Sequence, residues 1–468
     1  YLNPIFTAAS NHKYDPGSYE QIDPMFGTAE DFKRLTDELR KRGMYLMLDG
    51  VFNHVGDDSI YFDRYGKYKE VGAYEYWARV YETMNAKNAA QADAQRMAEE
   101  QFASEGTPLA PYAPQTWFKI ENTQENGHFR YEGWSGYDSL PVIQSPENGA
   151  VSQASELNNQ RWAAYILLND DAIAKRWIKS GASGWRLDVA PEIDAAFWRE
   201  FRKQIKPMTL PNGEPPVMLG ETFQDAAHFF LGDQFDSVMN YGFRYAIQKL
   251  LMVDGDAAAA AALLRGLQQN YPKEAVYNLM NLFGSHDTPR IIYLLGGGDD
   301  TGVIAEKGKH FDYELGKKRL KLAVIFQMGY PGAPTIYYGD EVGVFGSRDP
   351  DCRRPFPWGS EDQDLLDHYR KVAGIRAARK PLFAHGDVTT LFAEKDVYVY
   401  ARKFEQQCAV IAINRGSEAK TLSMPVSGWI ADGAALADQL DAAYTVSVSG
   451  GALELTIPAM TGRMLVSQ

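Results

Sequence analysis

Two charged side chains, Arg186 and Asp188, interrupt a short apolar run that begins at Gly184. Residues two positions apart on a β-strand face the same side, so this pair would lie within reach of each other. An apolar strand that carries such a pair either braces a protein interior with an ion pair or builds part of a site. This stretch alone supports both interpretations equally.

Two further carboxylates, Glu221 and Asp287, follow the polar ends of other predicted strands. Three carboxylates suit the hydrolysis of a glycosidic bond, because one can attack the anomeric carbon while another donates a proton to the leaving oxygen. Retaining glycosidases hold those two groups about 5–5.5 Å apart. Arg186 would keep Asp188 ionised and oriented, whereas burial near other carboxylates would keep Glu221 protonated.

Two histidines, His54 and His286, also lie at predicted strand ends, where they could donate hydrogen bonds to sugar hydroxyls. Clusters of Asp, Glu and His bind metals as well, so a metal site is the competing hypothesis. The sequence contains no HExxH or comparable close pairing of ligands, which favours the glycosidase interpretation.

Apolar runs of strand length alternate with helical patterns through residue 382. The predicted strands end near residues 1, 48, 189, 220, 241, 283 and 338. Strands that alternate with helices predict a parallel sheet, and active sites of α/β barrels lie at the carboxyl ends of the strands. We therefore predict a (β/α)8 TIM barrel, with the one remaining strand expected before Tyr1.

The pattern divides the chain into three regions. Residues 1–54 and 154–382 are predicted to form the catalytic barrel, and residues 55–153 an insertion domain after the third strand. The insertion is rich in Tyr, Gly, Asn and Gln, and its segment Asn85–Gln101 is predicted to be one helix. Short alternating runs separated by Gly, Ser and Asn turns predict a C-terminal antiparallel β-sandwich over residues 383–468.

Composition restricts the partners. The 61 acidic residues exceed the 48 basic ones, the formal net charge is −13, and no long basic run occurs, which argues against nucleic acid and anionic membranes. No run of 18 apolar residues predicts a membrane span. The two cysteines, Cys352 and Cys408, make a disulfide framework unexpected. A soluble protein is expected, with cytoplasmic and secreted locations both open.

Four segments together resemble the signature regions of glycoside hydrolase family 13, the α-amylase family: Asp49–His54, Gly184–Asp188, Gly220–Thr222 and Ser285–Asp287. The resemblance covers nearly the whole chain. Within that family, four stretches are similar to the neopullulanase, cyclomaltodextrinase and amylopullulanase group: Tyr1–Phe6, Asn11–Asp15, Gly232–Tyr241 and Asp349–Pro355. The run Gly136–Pro141 is similar to the amylopullulanase branch in particular.

The resemblance implies roles at the matching positions. Asp188 matches the nucleophile, Glu221 the general acid/base, and Asp287 the residue that stabilises the transition state. The implied substrate-binding residues are Tyr14, Asp49, His54, Arg186, Glu192, His286, Asp349 and Arg353. Two positions depart from the group, which often has Asn at Pro191 and usually has Trp at Phe223, so acceptor-side preference is not safely inherited.

The implied activity is that of a retaining α-glucan hydrolase acting on α-1,4 bonds of pullulan, cyclodextrins or starch oligosaccharides, with α-1,6 cleavage left open. A transglycosylase or an exo-acting α-glucosidase on the same scaffold is the alternative, and a non-enzymatic binding subunit is disfavoured because the three carboxylates are intact. No cofactor is required for this chemistry. A structural calcium near Asn53, with Asp57 and Asp58 close in sequence, is left open, as is a homodimer.

Overall fold

The computed structural model describes residues 1–125, 128–144, 159–299 and 311–467. Within these ranges the chain forms two compact units. The first unit contains Tyr1–Thr222 and His228–Val238, and the second contains Phe223–Ala227 and Met239–Gln468. None of the described helices has both the length and the apolar character that crossing a bilayer requires.

The first unit is built around a parallel sheet. The strands of the unit are β1 (Phe6–Ala8), β2 (Pro16–Ile22), β3 (Met47–Gly50), β4 (Ile120–Glu125), β5 (His128–Tyr131), β6 (Gly184–Leu187), β7 (Val217–Gly220) and β8 (Ser237–Val238). Strands β3, β6, β7 and β8 pair in that order, all parallel. The register places Asp49 beside Arg186, so two charged residues meet at neighbouring positions of a buried sheet.

Gly184, the first residue of β6, permits the close approach of β6 and β7. A Cβ atom added there would lie 2.4 Å from the carbonyl oxygen of Val217. That separation is well inside van der Waals contact, so any side chain would push the two strands apart. The glycine that begins the Arg186–Asp188 stretch therefore has a packing reason.

The helices of the first unit are α1 (Ala29–Lys41), α2 (Ala73–Lys87), α3 (Gln91–Glu105), α4 (Gln160–Ala163), α5 (Ile173–Lys179) and α6 (Ala195–Ile205). The prediction of a single helix over Asn85–Gln101 was wrong. Helix α2 ends at Lys87 and is capped by Asn88, which adopts a left-handed conformation with φ of +50°; α3 begins three residues after Asn88. Asn tolerates this conformation better than most residues and commonly ends helices in this way.

The second unit begins with α/β elements. They are helices α7 (Tyr241–Leu251), α8 (Ala257–Asn270), α9 (Lys273–Asn278), α10 (Ile291–Leu295), α11 (Tyr313–Gly329), α12 (Gln363–Ala378) and α13 (Lys380–His385), and strands β9 (Met280–Leu282) and β10 (Ala333–Thr335). Strands β9 and β10 are parallel neighbours. The strand predicted to end near residue 241 is shorter, because the Asn240 side chain accepts a hydrogen bond from Phe243 N and starts α7.

The end of the chain forms an antiparallel sheet, as predicted. Its strands are β11 (Asp387–Glu394), β12 (Val397–Phe404), β13 (Gln407–Asn414), β14 (Lys420–Pro425), β15 (Ala435–Asp438), β16 (Thr445–Ser449), β17 (Ala452–Ile457) and β18 (Thr461–Ser467). They pair in the order β11-β12-β13-β18-β15-β16-β17-β14. Buried residues of β12, β13, β17 and β18 share one hydrophobic cluster, so the sheet folds over its own core.

The boundaries of the three predicted regions stay predictions. The boundary between 153 and 154 lies outside the described residues. The boundary between 382 and 383 falls inside α13 (Lys380–His385), and strand β11 begins only at Asp387.

Candidate active site

A single buried guanidinium, that of Arg186, contacts three carboxylates in the first unit. One terminal nitrogen lies 3.0 Å from Asp49 and 2.5 Å from Asp188. The other lies 2.6 Å from Glu221. The side chains of Arg186 and Asp49 are 0% exposed, and those of Asp188 and Glu221 are 7% and 6% exposed. Three neighbouring parallel strands thus converge on one cation.

Because three carboxylates share one cation, the surplus of negative charge favours protonation of a carboxylate. Burial raises the pKa of Asp49 and of Asp188 to about 6, against the opposing effect of Arg186. Burial also raises the pKa of Glu221 to about 7, and the neighbouring Asp188 charge adds to that rise. A hydrogen bond between the two side chains raises the pKa of Glu221 and lowers that of Asp188. The shared proton therefore belongs on Glu221, with Asp188 ionised.

Glu221 is held from the loop that follows β6. The backbone N–H of Val189 donates to Oε2 of Glu221 (3.1 Å), and the N–H of Ala190 donates to its carbonyl oxygen (3.1 Å). Val189 has φ of +38°, a left-handed conformation that is strained for a β-branched residue. Strain of this kind persists only where the surroundings enforce it, and it concentrates at functional sites.

Two tyrosine hydroxyls complete the surroundings of Asp49. Tyr14 donates to its Oδ2 at 2.8 Å, and Tyr1 donates to the same atom at 2.9 Å. The guanidinium carbon of Arg186 lies 5.7 Å from the centroid of the Tyr14 ring. The ring of Tyr14, one of the implied substrate-binding residues, is therefore fixed at the edge of the carboxylate cluster.

His54 is buried, and protein groups already contact it. Its Nε2 lies 2.9 Å from the carbonyl oxygen of Tyr14, which makes Nε2 the protonated nitrogen because a carbonyl only accepts. Burial lowers the pKa of His54 to about 4, so the ring is neutral near pH 7. A sugar hydroxyl would have to compete with the Tyr14 carbonyl for this donor.

Trp134, which is not among the residues predicted from sequence, contacts two of the predicted residues. Its ring stacks on His54 with a centroid distance of 5.1 Å and an interplanar angle of 18°. Its indole Nε1 donates to Oε2 of Glu192 at 2.7 Å. The only sequence signal was its place two residues before the Gly136–Pro141 run.

The remaining predicted residues lie together in the second unit. Nε2 of His286 is 3.0 Å from Asp287, and Arg353 lies 3.8 Å from Asp287 and 3.0 Å from Asp349. Arg353 Nε also donates to the carbonyl oxygen of His286 (3.0 Å). The side chain of Asp287 is 36% exposed, so its carboxylate is accessible as well as oriented.

An aromatic pair in the second unit contains Phe223, one of the two positions where the sequence departs from the group it resembles. The Phe223 and Tyr241 rings stack with centroids 3.8 Å apart at an angle of 21°. Phe223 is half exposed, and with Asp287 and Asp349 it lines a cavity of about 650 Å³. Its exposed ring surface is therefore available to a ligand of that cavity.

The carboxylates near Asn53 do not fit a calcium site as they stand. Asp57 pairs with Arg64 at 3.3 Å, and Asp58 pairs with Lys67 at 2.9 Å. Calcium takes six to eight oxygen ligands, whereas these carboxylates already neutralise side-chain cations. The described ranges also contain no group of three or more His, Cys, Asp or Glu arranged to hold a metal. The sequence left calcium binding near Asn53 open, and the contacts of these carboxylates do not change that.

Two models of known protein families match this chain. The family model of the alpha-amylase catalytic domain matches residues 1–410, and that of an alpha-amylase C-terminal domain matches residues 386–465. The chain belongs to the alpha-amylase family of glycoside hydrolases. Its fold is accordingly the predicted TIM barrel with a C-terminal antiparallel domain.

Relatives with assigned names show which members of the family this chain is similar to. The chain is 40% identical, over 100% of its length, to an amylopullulanase of Thermoanaerobacterium thermosulfurigenes, of which it spans 24%. It is 33% identical, over 92% of its length, to neopullulanase 2 of Thermoactinomyces vulgaris, of which it spans 61%. The chain thus spans only about a quarter to a third of the amylopullulanases it matches.

Solved structures agree with the family assignment. A debranching enzyme from Nostoc punctiforme superposes with a TM-score of 0.73 at 29% identity, over 99% of this chain and 84% of that one. A cyclic alpha-maltosyl-(1→6)-maltose hydrolase from Arthrobacter globiformis gives a TM-score of 0.71 at 27% identity, over 100% and 85% of the two chains. Both are similar to this chain along nearly its full length.

Proposed function

We propose that this chain is the catalytic part of a retaining α-glucan hydrolase, with Asp188 as nucleophile and Glu221 as general acid/base. The observation that carries the proposal is the pair of carboxylates on one guanidinium, 2.5 and 2.6 Å from its two terminal nitrogens. Inverting enzymes need a gap of about 6.5–9.5 Å between their two carboxyl groups for a water molecule. Two carboxylates that share one guanidinium lie close together, which supports direct attack by Asp188.

The reaction proceeds in two displacements. The Asp188 carboxylate attacks the anomeric carbon while Glu221 gives its proton to the departing glycosidic oxygen, leaving a glycosyl ester on Asp188. Glu221, now ionised, takes a proton from water, and the resulting hydroxide attacks the same carbon and releases Asp188. The raised pKa of Glu221, about 7, supports both halves, since the group must donate a proton and then accept one near neutral pH.

The proposed substrate contacts are those that the family resemblance implies at matching positions. Tyr14, with its hydroxyl on Asp49, would present its ring to the sugar at the scissile bond. Asp287 would stabilise the transition state through sugar hydroxyls, and Arg353 with Asp349 would hold the next sugar. The reaction as written uses only side chains of the chain and water.

The substrates we propose are α-1,4-linked glucans, with α-1,6 cleavage as a second activity. Support comes from relatives named amylopullulanase, neopullulanase and cyclomaltodextrinase at 33–40% identity. Phe223 is half exposed and stands where the group usually has Trp. The preference for one type of bond is therefore the property that is least safely carried over from the relatives.

Product analysis tests the proposal. The purified protein is incubated with pullulan, a cyclodextrin and maltotriose, and the products are separated, because panose, isopanose and maltotriose report different bond choices in pullulan. We expect hydrolysis that Glu221→Gln lowers at least a hundredfold. Survival of hydrolysis within tenfold in that variant would make the acid assignment wrong. Glucose as the only product would replace the endo-acting hydrolase with an exo-acting α-glucosidase.

A further inference from the structure

Trp134 is presented by a turn that the backbone fixes closely. The N–H of Trp134 donates to the carbonyl of Leu140 (2.9 Å), and the N–H of Tyr137 donates to the carbonyl of Trp134 (2.9 Å). A Cβ atom on Gly133 would lie 2.2 Å from the carbonyl oxygen of Tyr137, so this turn closes only around a glycine. A backbone fixed in this way holds the indole in one place.

The same turn is tied to the strand end that carries His54. Val142 pairs with His54 across an isolated antiparallel bridge, and the N–H of Val55 donates to the carbonyl of Pro141 (3.2 Å). The ring stack with His54 and the hydrogen bond to Glu192 therefore start from a common, anchored segment. Trp134 spans the gap between two separate strand ends of the first unit.

Glu192 belongs to the segment that holds the proposed acid. It closes the short 3₁₀ turn Ala190–Glu192, and Val189 and Ala190, three and two residues before it, donate backbone hydrogen bonds to Glu221. The acid donates its proton to the leaving oxygen, so a group beside it lies on the side of the departing or accepting sugar. Glu192 is partly exposed, which leaves its carboxylate able to accept from a sugar hydroxyl.

We infer that Trp134 is a specificity-determining residue: through its indole N–H it positions the Glu192 carboxylate to bind the sugar on the leaving-group side of the scissile bond. The inference rests on the proposed function. It predicts that the indole N–H affects substrates that have a sugar on that side and leaves unaffected those that lack one. The ligand class is a glucose unit of the leaving or accepting oligosaccharide.

The test compares two substrates. Maltohexaose provides sugars on both sides of the cleaved bond, whereas α-maltotriosyl fluoride has only a fluoride leaving group. Trp134→Phe keeps a ring against His54 but removes the donor to Glu192. Glu192→Ala removes the acceptor, Glu192→Gln keeps an acceptor oxygen without the charge, and Tyr137→Phe is the matched control on an exposed ring of the same turn.

We expect Trp134→Phe to lower kcat/KM for maltohexaose about tenfold, as loss of a hydrogen bond to a charged group does, and to leave the fluoride within twofold of wild type. Glu192→Ala should give the same pattern, and the double variant should show no further loss. Glu192→Gln should fall between Glu192→Ala and wild type. Tyr137→Phe should match wild type on both substrates.

Three results would overturn the inference. Equal losses on both substrates would make Trp134 a merely structural residue. No loss on either substrate would remove its role altogether, and additive effects of the two substitutions would mean that Trp134 and Glu192 act independently. If the wild type itself cleaves neither substrate, the proposed function is wrong and the inference falls with it, a result that the variants cannot imitate.

Discussion

Replacement of Arg186 by Met removes the only cation that contacts Asp49, Asp188 and Glu221 among the described ion pairs of this cluster. Met keeps an apolar stem of similar length, so the packing of β6 is largely retained. The guanidinium is fully buried, so water does not take its place readily. The substitution therefore tests charge at the site more than shape.

The expected effect follows from the geometry. Two unit charges about 4 Å apart interact by about 4 kcal/mol at an effective dielectric constant of about 20, which corresponds to about three pKa units. The pKa of Asp188 is about 6 with Arg186 present, so it should rise to about 9 without it. Only about 1% of Asp188 would then be ionised at pH 7, and kcat/KM should fall about a hundredfold from this cause alone.

The assay is kcat/KM for maltotriose between pH 4 and 10, together with thermal unfolding at each pH. Arg186→Lys is the matched control, because it keeps the charge but lacks the planar fork that reaches several carboxylates, and it should lose about tenfold. In Arg186→Met the acidic limb of the profile should move toward pH 9. Activity within tenfold of wild type at pH 7, with an unmoved acidic limb, would refute the reasoning.

Three further predictions concern the same unit. The wild-type pH profile should be a narrow bell, because activity is lost as Asp188 gains a proton below about pH 6 and as Glu221 loses its proton above about pH 7; a flat profile up to pH 9 would contradict the Glu221 role. The pKa of His54, depressed to about 4 from the usual 6.5, gives stability that is present above pH 6.5 and lost as the pH falls toward 4. Between pH 7 and pH 4 the free energy of unfolding of the wild type, measured with denaturant, should therefore fall by roughly 3 kcal/mol more than that of His54→Gln. A difference between the two proteins that does not change with pH would refute this. Gly184→Ala should destabilise the first unit by about 1–3 kcal/mol, because its Cβ would lie 2.4 Å from Val217 O; an unchanged melting temperature would show that the two strands separate at no cost.

The positions of the strand ends could be predicted from sequence because buried parallel strands are short apolar runs. The polar residues that follow such runs must lie at one edge of a sheet, which is why Glu221 and Asp287 could be selected from sequence. The family assignment and the barrel with its C-terminal antiparallel domain are confirmed. The chemical roles of the selected residues stay predictions.

Several features of the site depend on contacts that no local pattern encodes. The sequence paired Arg186 with Asp188, yet the guanidinium also binds Asp49 and Glu221 from neighbouring strands, which requires the register of three strands. Trp134 lies 58 residues from Glu192 in the chain, and its indole could not be distinguished from a core tryptophan. The helix break at Asn88 depends on one left-handed residue, which composition does not reveal.

The central claim is that Asp188 is the nucleophile of a double displacement. Glu221→Gln is incubated with α-maltotriosyl fluoride, whose leaving group needs no acid, and the quenched protein is digested for peptide mass mapping. The account predicts a maltotriosyl adduct on the peptide that contains Asp188 and none on that variant when Asp188 is also changed to Asn. An adduct on a peptide containing Asp49 or Asp287 instead, or rapid turnover of the fluoride with inversion and no adduct, would contradict it.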